Sequence, residues 1–244
     1  MIPQWLQNHL GIAEEDLQPS HFQPDGKLLS TRTHPLKSLV TGQVCARCNN
    51  GWMSQLEEQA RPLLVPLIDA SREVVDLTED ERAILGRWTL KTAAVLNAGS
   101  NFHSNVPPNH FRALYRRGRL PPKGVKIFGQ QHHGTSIFSW TQGSVWKLVA
   151  DDSGPIAEYT TDYVNANSYK ITLLLGKLLL LAAYWPDPSW RMIIWRGIHV
   201  PLWPIAGPIA WYGSDPLASG FNWDNSLEAQ VAFHVTLGVR HDRG

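Results

Sequence analysis

The clearest helix in the sequence is predicted by apolar residues at helical spacing in the first half of the chain. Thr78 is followed three residues later by Glu81, a combination typical of a capping box at a helix start. Gly99 follows the last apolar position and is a natural helix stop. The pattern therefore predicts one long helix between these points, with a buried stripe of Ile84, Leu85, Trp88, Thr92, Val95 and Leu96.

An earlier, shorter helix is predicted to start near Gly51. Its predicted stripe runs through Trp52, Leu56 and Gln59, at positions i, i+4 and i+7, and the first two of these are apolar. Pro62 lacks a backbone N–H and is expected to end or kink this helix.

A third helix is predicted to begin at Pro107-Pro108 and to end around Gly118. Its apolar positions are His110, Phe111, Leu114 and Tyr115. Its remaining positions include Arg112, Arg116 and Arg117, so we expect one side of this helix to be strongly basic.

Beyond Lys123 the pattern changes to short runs of β-branched and aromatic residues. Residues 125–128, 136–140 and 144–149 are predicted strands, with residues 141–143 as a hairpin turn. Residues 169–175 and 177–184 are two further strands around Gly176, or else a buried helix, because apolar runs of this length fit both. The whole pattern indicates an α+β fold in three parts: residues 1–76, a helical segment 77–122 and a β-rich part 123–244.

Composition narrows the class of protein. Apolar residues make up 43% of the chain, which is typical of a folded domain. The most apolar run, residues 171–185, is shorter than the roughly twenty residues of a membrane-spanning helix. The first residues lack a basic segment followed by an apolar run, so no secretion signal is predicted. We therefore expect a cytoplasmic protein with no membrane partner.

Charge is distributed unevenly along the chain, although the net charge is only +1. Residues 82–150 contain no Asp or Glu, whereas they contain ten Lys and Arg residues. Clustered cations displace counterions from a phosphate backbone, so this segment predicts a nucleic-acid surface, with Tyr115 and Phe128 near enough to stack a base. A solvated helix face is the alternative. The residues predicted to bind nucleic acid are Arg112, Arg116, Arg117, Arg119, Lys123 and Lys126.

The two cysteines of the chain, Cys45 and Cys48, have the C-x-x-C spacing of a zinc knuckle, which supplies half of a tetrahedral site. A redox disulfide has the same spacing, but it normally opens a helix in a thioredoxin-like pattern, which this sequence lacks. Two unligated thiols are the third possibility. His21 and His34 are further candidate ligands, although neither lies at a knuckle spacing.

The surrounding string, VCARCNNGWMSQLE at residues 44–57, resembles the second zinc knuckle of HNH-type, treble-clef nucleases. It is similar to a subfamily carrying C-x-x-C-N-N-G-W-M-S-x-L-E. Two other strings resemble the same subfamily: IPQWL at residues 2–6, and the W-x-x-K-T pattern of residues 88–92. The resemblance covers roughly the first hundred residues and implies a treble-clef-like segment over residues 1–76.

The resemblance also implies a catalytic apparatus. In that subfamily a histidine directly precedes the position of Met1, and a further C-x-x-C lies upstream of it. That histidine is the general base that activates water against a phosphodiester, beside a divalent cation such as Mg²⁺ or Mn²⁺. Asn49 occupies a position that can bind the cation, although a helix N-cap or turn residue is the alternative interpretation. Because the sequence begins after both the histidine and the upstream C-x-x-C, we expect the general base to be absent and the structural zinc site to be weakened or lost.

The sequence therefore predicts an HNH-nuclease-related protein. Its ancestral activity would be metal-dependent hydrolysis of nucleic-acid phosphodiesters, with DNA favoured over RNA, and we expect little or no such activity in this chain. The alternative is a non-catalytic module that binds nucleic acid or another protein.

Overall fold

The computed structural model shows an α+β fold in which the long helices precede the large sheets. The structure describes residues 2–18, 20–22, 27–35, 44–99, 105–116, 121–149, 160–164, 167–187, 190–195, 199–204, 210–212 and 236–239. Among these residues, no helix combines the length and apolar character needed to cross a membrane.

The helices lie in the first half of the chain. They are α1 (Gln4–Leu10), α2 (Ala46–Cys48), α3 (Ser54–Ile68), α4 (Glu79–Gly99) and α5 (Pro108–Tyr115). A π-helical turn, Asn49–Met53, joins α2 to α3, and a 3₁₀ turn, Val74–Asp76, precedes α4. Helix α1 has no apolar run long enough to predict it, and it is held by the burial of Leu6 and Leu10.

Within the described residues, the strands form two small ladders and two five-stranded sheets. The small ladders pair β1 (Asp16–Leu17) with β4 (His34–Pro35), and β2 (Ser20–Phe22) with β3 (Leu28–Thr31). The later strands are β5 (Val125–Gln131), β6 (Phe138–Gly143), β7 (Val145–Val149), β8 (Thr160–Val164), β9 (Tyr169–Leu175), β10 (Leu178–Tyr184), β11 (Trp190–Trp195), β12 (Val200–Trp203), β13 (Ala210–Tyr212) and β14 (Thr236–Val239). The first sheet is antiparallel with order β12-β5-β10-β9-β6, and the second is mixed with order β13-β11-β14-β7-β8.

The first sheet is buried on both faces. Side chains alternate between the two faces of a strand, so Ile127 and Phe128 on β5 point in opposite directions. Ile127 joins the core cluster that contains the helices, whereas Phe128 packs in a second cluster with Trp146 and Met192 from the second sheet. The molecule therefore has three layers, with the first sheet between the helices and the second sheet. The helix-side cluster contains side chains from all three predicted parts of the sequence.

Helix α4 confirms the longest helix predicted from the sequence. The backbone N–H of Thr78 donates to Glu81 Oε2 at 2.8 Å, and the N–H of Glu81 donates to Thr78 Oγ1 at 3.4 Å, which completes the predicted capping box. Gly86 allows α4 to lie directly against β12, because a Cβ there would be 3.2 Å from the carbonyl oxygen of Leu202. This close contact fixes the long helix on the first sheet.

The prediction that Pro62 ends or kinks its helix is wrong as regards the end, because α3 continues to Ile68 with both Pro62 and Pro66 inside it. An interior proline costs about 3 kcal/mol. Burial of a Leu side chain gains roughly 1.5–3 kcal/mol, and Leu63, Leu64 and Leu67 are all buried here. Burial of these apolar side chains therefore offsets the cost of the two interior prolines, and the helix continues past Pro62.

The two strands around Gly176 are confirmed, which excludes the buried-helix alternative. Gly176 has φ +57° in the turn between them, a conformation that favours glycine.

The predicted hairpin turn at residues 141–143 is wrong. These residues continue β6, which pairs with β9, and the chain then enters the second sheet at β7. The hydroxyls of Thr141 and Thr172 are hydrogen-bonded across the β6–β9 pair. The partner strand that extends β6 lies too far along the sequence for local turn signals to indicate it.

Candidate nucleic-acid interface

The cysteine pair lies at the start of a short helical turn. Cys45 has an extended backbone and caps α2, with its Sγ accepting a hydrogen bond from the backbone N–H of Cys48 at 3.3 Å. The π-helical turn follows, and Gly51 within it departs from helical geometry with φ −102° and ψ −111°. We name residues 45–52 the knuckle segment, since both thiols and Trp52 are fixed by this local geometry.

The two thiols differ in their chemistry. Hydrogen bonding between them lowers the pKa of Cys45 below its ordinary value and raises the pKa of Cys48. Cys45 is exposed and Cys48 is partly exposed. Cys45 is therefore the thiol that ionises more easily, and thiolate is the form that binds a metal ion.

The fit of the pair to zinc is incomplete. A closed structural site needs four donors, and the knuckle segment supplies two sulfurs. In the described part of the chain, no group of three or more His, Cys, Asp and Glu side chains is assembled in a way that could hold a metal ion. His21 is on β2, and the side chain of His34 lies outside the described residues. A zinc ion here would need two further ligands from elsewhere.

Asn49 is an exposed turn residue. Its backbone N–H donates to the carbonyl oxygen of Cys45 at 3.0 Å, and its Nδ2 donates to Asn50 Oδ1 at 3.2 Å. The helix N-cap of this segment is Cys45, so the turn interpretation describes Asn49 better than the N-cap interpretation. A carboxamide oxygen can ligate a hard cation, but it cannot serve as a general base at neutral pH.

Helix α5 is held on the first sheet by a buried histidine. His110 Nδ1 lies 3.0 Å from the hydroxyl oxygen of Tyr169, and its ring packs edge-to-face on Tyr184 with centroids 4.6 Å apart. Burial lowers the pKa of His110 to about 4, so the imidazole is neutral at physiological pH. Leu114 is buried on the same helix. These contacts leave the other side of α5 to solvent.

The exposed side of α5 carries Arg112 and Tyr115, and Arg116 follows at the helix end. We call these three residues the α5 surface. The rings of Tyr115 and Trp52 meet with centroids 6.4 Å apart and planes at 67°. This contact joins the knuckle segment to the α5 surface, so two regions that the sequence analysis treated separately are neighbours.

The other predicted nucleic-acid residues are placed differently. Lys123 is exposed just before β5. Lys126 is opposite Ala183 on the sheet face that packs against the second sheet, and burial lowers its pKa. Phe128, suggested as a stacking residue, is fully buried on that same face and cannot contact a base. Arg117 and Arg119 lie outside the described residues.

Glu57 is the residue whose contacts the sequence analysis missed. Its Oε2 accepts a hydrogen bond from Trp88 Nε1 at 2.7 Å, and its Oε1 forms an ion pair with Lys91 Nζ. Burial lowers the pKa of Lys91, and the Glu57 carboxylate opposes that shift. Glu57 ends the knuckle-like string, and Trp88 and Lys91 belong to the W-x-x-K-T string. Because both strings resemble the same subfamily, their joint occurrence was the sequence signal that could have predicted this contact.

No family model, no curated protein and no solved structure matches this chain. The resemblance to HNH nucleases therefore rests on the residues quoted from the sequence.

Proposed function

We propose that this chain is an HNH-nuclease-related protein that contacts nucleic acid through the α5 surface and the adjoining knuckle segment. The observation that supports this most directly is the contact between Trp52 and Tyr115, because it joins the nuclease-like string to a basic helix. In the HNH-type nucleases that the sequence resembles, the zinc knuckle belongs to a fold that acts on phosphodiesters. A neighbouring pair of exposed arginines is what such a partner requires.

The electrostatics of α5 agree with an anionic partner. Arg112 and Arg116 are exposed, and neither side chain has an ion-pair partner among the described residues. Other basic residues of the acid-free stretch are used internally. Lys91 is paired with Glu57, and Arg82 donates to the carbonyl oxygens of Leu77 and Val75. Among the described residues of the stretch, the exposed cations are therefore Arg112 and Arg116 on α5 and Lys123 before β5.

Binding rather than rapid hydrolysis is the activity we propose for this chain. Asn49 offers an oxygen for Mg²⁺ or Mn²⁺, but its carboxamide cannot act as the general base for water. Cys45 and Cys48 offer half of a structural zinc site. Hydrolysis of DNA or RNA is accordingly the ancestral activity of the family resembled, and contact with the phosphate backbone is the part that α5 supports.

The test is the salt dependence of binding to a fluorescently labelled DNA oligonucleotide, measured by anisotropy. Each phosphate contact releases counterions, so changing Arg112→Ala or Arg116→Ala should reduce the slope of log K against log salt by about 1. Arg32→Ala is the charge-matched control, because Arg32 is exposed near the N-terminal strands, and its slope should not change.

Two results would contradict the proposal. One is the absence of salt-sensitive binding by the unaltered chain at low salt. The other is robust cleavage with Mg²⁺ or Mn²⁺ that Asn49→Ala abolishes, because the chain would then be an active nuclease rather than a binding protein.

A further inference from the structure

The α5 surface combines an exposed aromatic ring with two exposed cations. Tyr115 is 52% exposed, which makes it one of the few large apolar side chains in the described residues that face solvent. Trp52 contacts the ring from the protein side. Most large aromatic residues of the described chain are buried or half-buried, so Tyr115 offers a ring that a ligand can reach.

The two arginines lie close to this ring along the chain. Arg112 is three residues before Tyr115, which puts both on one face of α5. Arg116 is the next residue, and its backbone N–H donates to the carbonyl oxygen of Arg112 at 3.3 Å. The backbone of this turn is therefore fixed, and Tyr115 is flanked in the sequence by two exposed arginines that have no ion-pair partner among the described residues.

A nucleic-acid duplex offers no free base face on which such a ring could stack. In a duplex the faces of the bases are stacked on one another, and the outside offers phosphates and groove edges. An unpaired base offers a free π-face, and stacking on an aromatic side chain contributes about 1–3 kcal/mol per base. Arginine alone would suffice for the phosphates of a duplex. The added exposed ring distinguishes single strands.

We propose that the α5 surface binds single-stranded nucleic acid, with an unpaired base stacked on Tyr115 and the flanking phosphates held by Arg112 and Arg116. This inference rests on the proposed function, since it assumes that the partner is a nucleic acid. It adds that the partner is single-stranded and assigns base stacking to the ring of Tyr115. The resemblance to HNH nucleases implies neither.

The experiment compares a labelled single strand of about twenty nucleotides with the duplex of the same sequence, using the full chain at low salt. The single strand should bind more tightly. Tyr115→Ala should weaken single-strand binding by about 5- to 150-fold and leave duplex binding unchanged. Its salt slope should stay the same, because Tyr115 neutralises no phosphate. Arg116→Ala should instead lower the slope for both ligands.

Two further variants separate stacking from folding. Tyr115→Phe keeps the ring and should keep single-strand binding. Tyr115→Leu keeps an apolar contact for Trp52 but has no aromatic face, so it should bind like Tyr115→Ala. Circular dichroism and urea unfolding of each variant check that the fold is retained. Because the leucine variant preserves packing, a loss of binding there cannot be attributed to unfolding.

The possible outcomes distinguish a failure of the single-strand inference from a failure of the proposed function. Equal binding of both ligands, with no effect of Tyr115→Leu, would overturn the single-strand inference and leave nucleic-acid binding intact. No binding of either ligand at low salt would overturn both, and would favour an acidic protein surface as the partner of the exposed Tyr and Arg residues.

Discussion

Lys91 and Arg112 belong to the same acid-free stretch of sequence, but the structure uses their charges in opposite ways. Lys91 is buried in the middle of α4 and is paired with a carboxylate from α3. Arg112 is exposed on α5 and has no carboxylate partner among the described residues. A buried charge needs a counter-charge to offset its desolvation, whereas an exposed one does not. The comparison shows that a run of cations in the sequence need not form a continuous charged surface, because the fold buries and pairs some of those cations and exposes others.

The largest effect is expected from breaking the buried pair. Glu57→Ala leaves the Lys91 ammonium without a partner and the Trp88 N–H without an acceptor. The loss should be about 3–5 kcal/mol of unfolding free energy, measured by urea denaturation. In the matched double variant Glu57→Leu/Lys91→Met both charges are gone, so most of the stability should return. If Glu57→Ala unfolds at the same urea concentration as the unaltered protein, the pair does not join α3 to α4.

A smaller effect is expected from the buried side of α5 and depends on pH. The pKa of His110 is about 4 in the folded protein and near 6.5 in an unfolded chain, so the unfolded state binds the extra proton first as the pH falls. The contribution to stability is complete above pH 6.5 and is lost progressively toward pH 4. Between pH 7 and pH 5 the loss should be about 1 kcal/mol.

The control for this prediction is His110→Gln, which can still hydrogen-bond to Tyr169 but does not titrate. Its unfolding free energy should fall less between pH 7 and pH 5 than that of the unaltered protein, as followed by urea denaturation at each pH. An identical pH dependence in both proteins would mean that another group controls the acid sensitivity.

The smallest effect on stability is expected from the exposed side of α5. The double variant Arg112→Ala/Arg116→Ala should change the unfolding free energy by at most about 0.5 kcal/mol, because neither side chain is buried or paired within the described residues. Urea denaturation beside the binding measurement checks this. A large destabilisation would show that these arginines support the fold, which would remove the contrast with Lys91.

The parts of the fold that could be predicted from sequence are those governed by neighbouring residues. The capping box at Thr78 and Glu81 and the turn at Gly176 need only local chemistry, and both are confirmed. The long α3 and the extended β6 depend instead on distant partners, so Pro62 and residues 141–143 were misinterpreted. Local signals compete with burial and strand pairing, and here the non-local terms prevail.

The candidate site divides in the same way. Arg112 and Arg116 follow from the helical pattern of α5, and the cysteine pair follows from its spacing. The contact between Trp52 and Tyr115 joins residues far apart in the chain, and no periodicity predicts it. The orientation of Lys126 depends on the register of β5, which a short strand pattern does not fix.

The sandwiching of the first sheet between two layers has a consequence for the order of synthesis. Helix α4 is made well before β9 and β10, which later cover its apolar side. Those strands in turn have apolar residues on both faces and pack against the second sheet, whose strands β11, β13 and β14 follow them in the sequence. While residues 100–184 are being synthesised, a nascent chain therefore carries α4 without the two strands that later pack on its apolar side, and such exposed apolar surface favours aggregation.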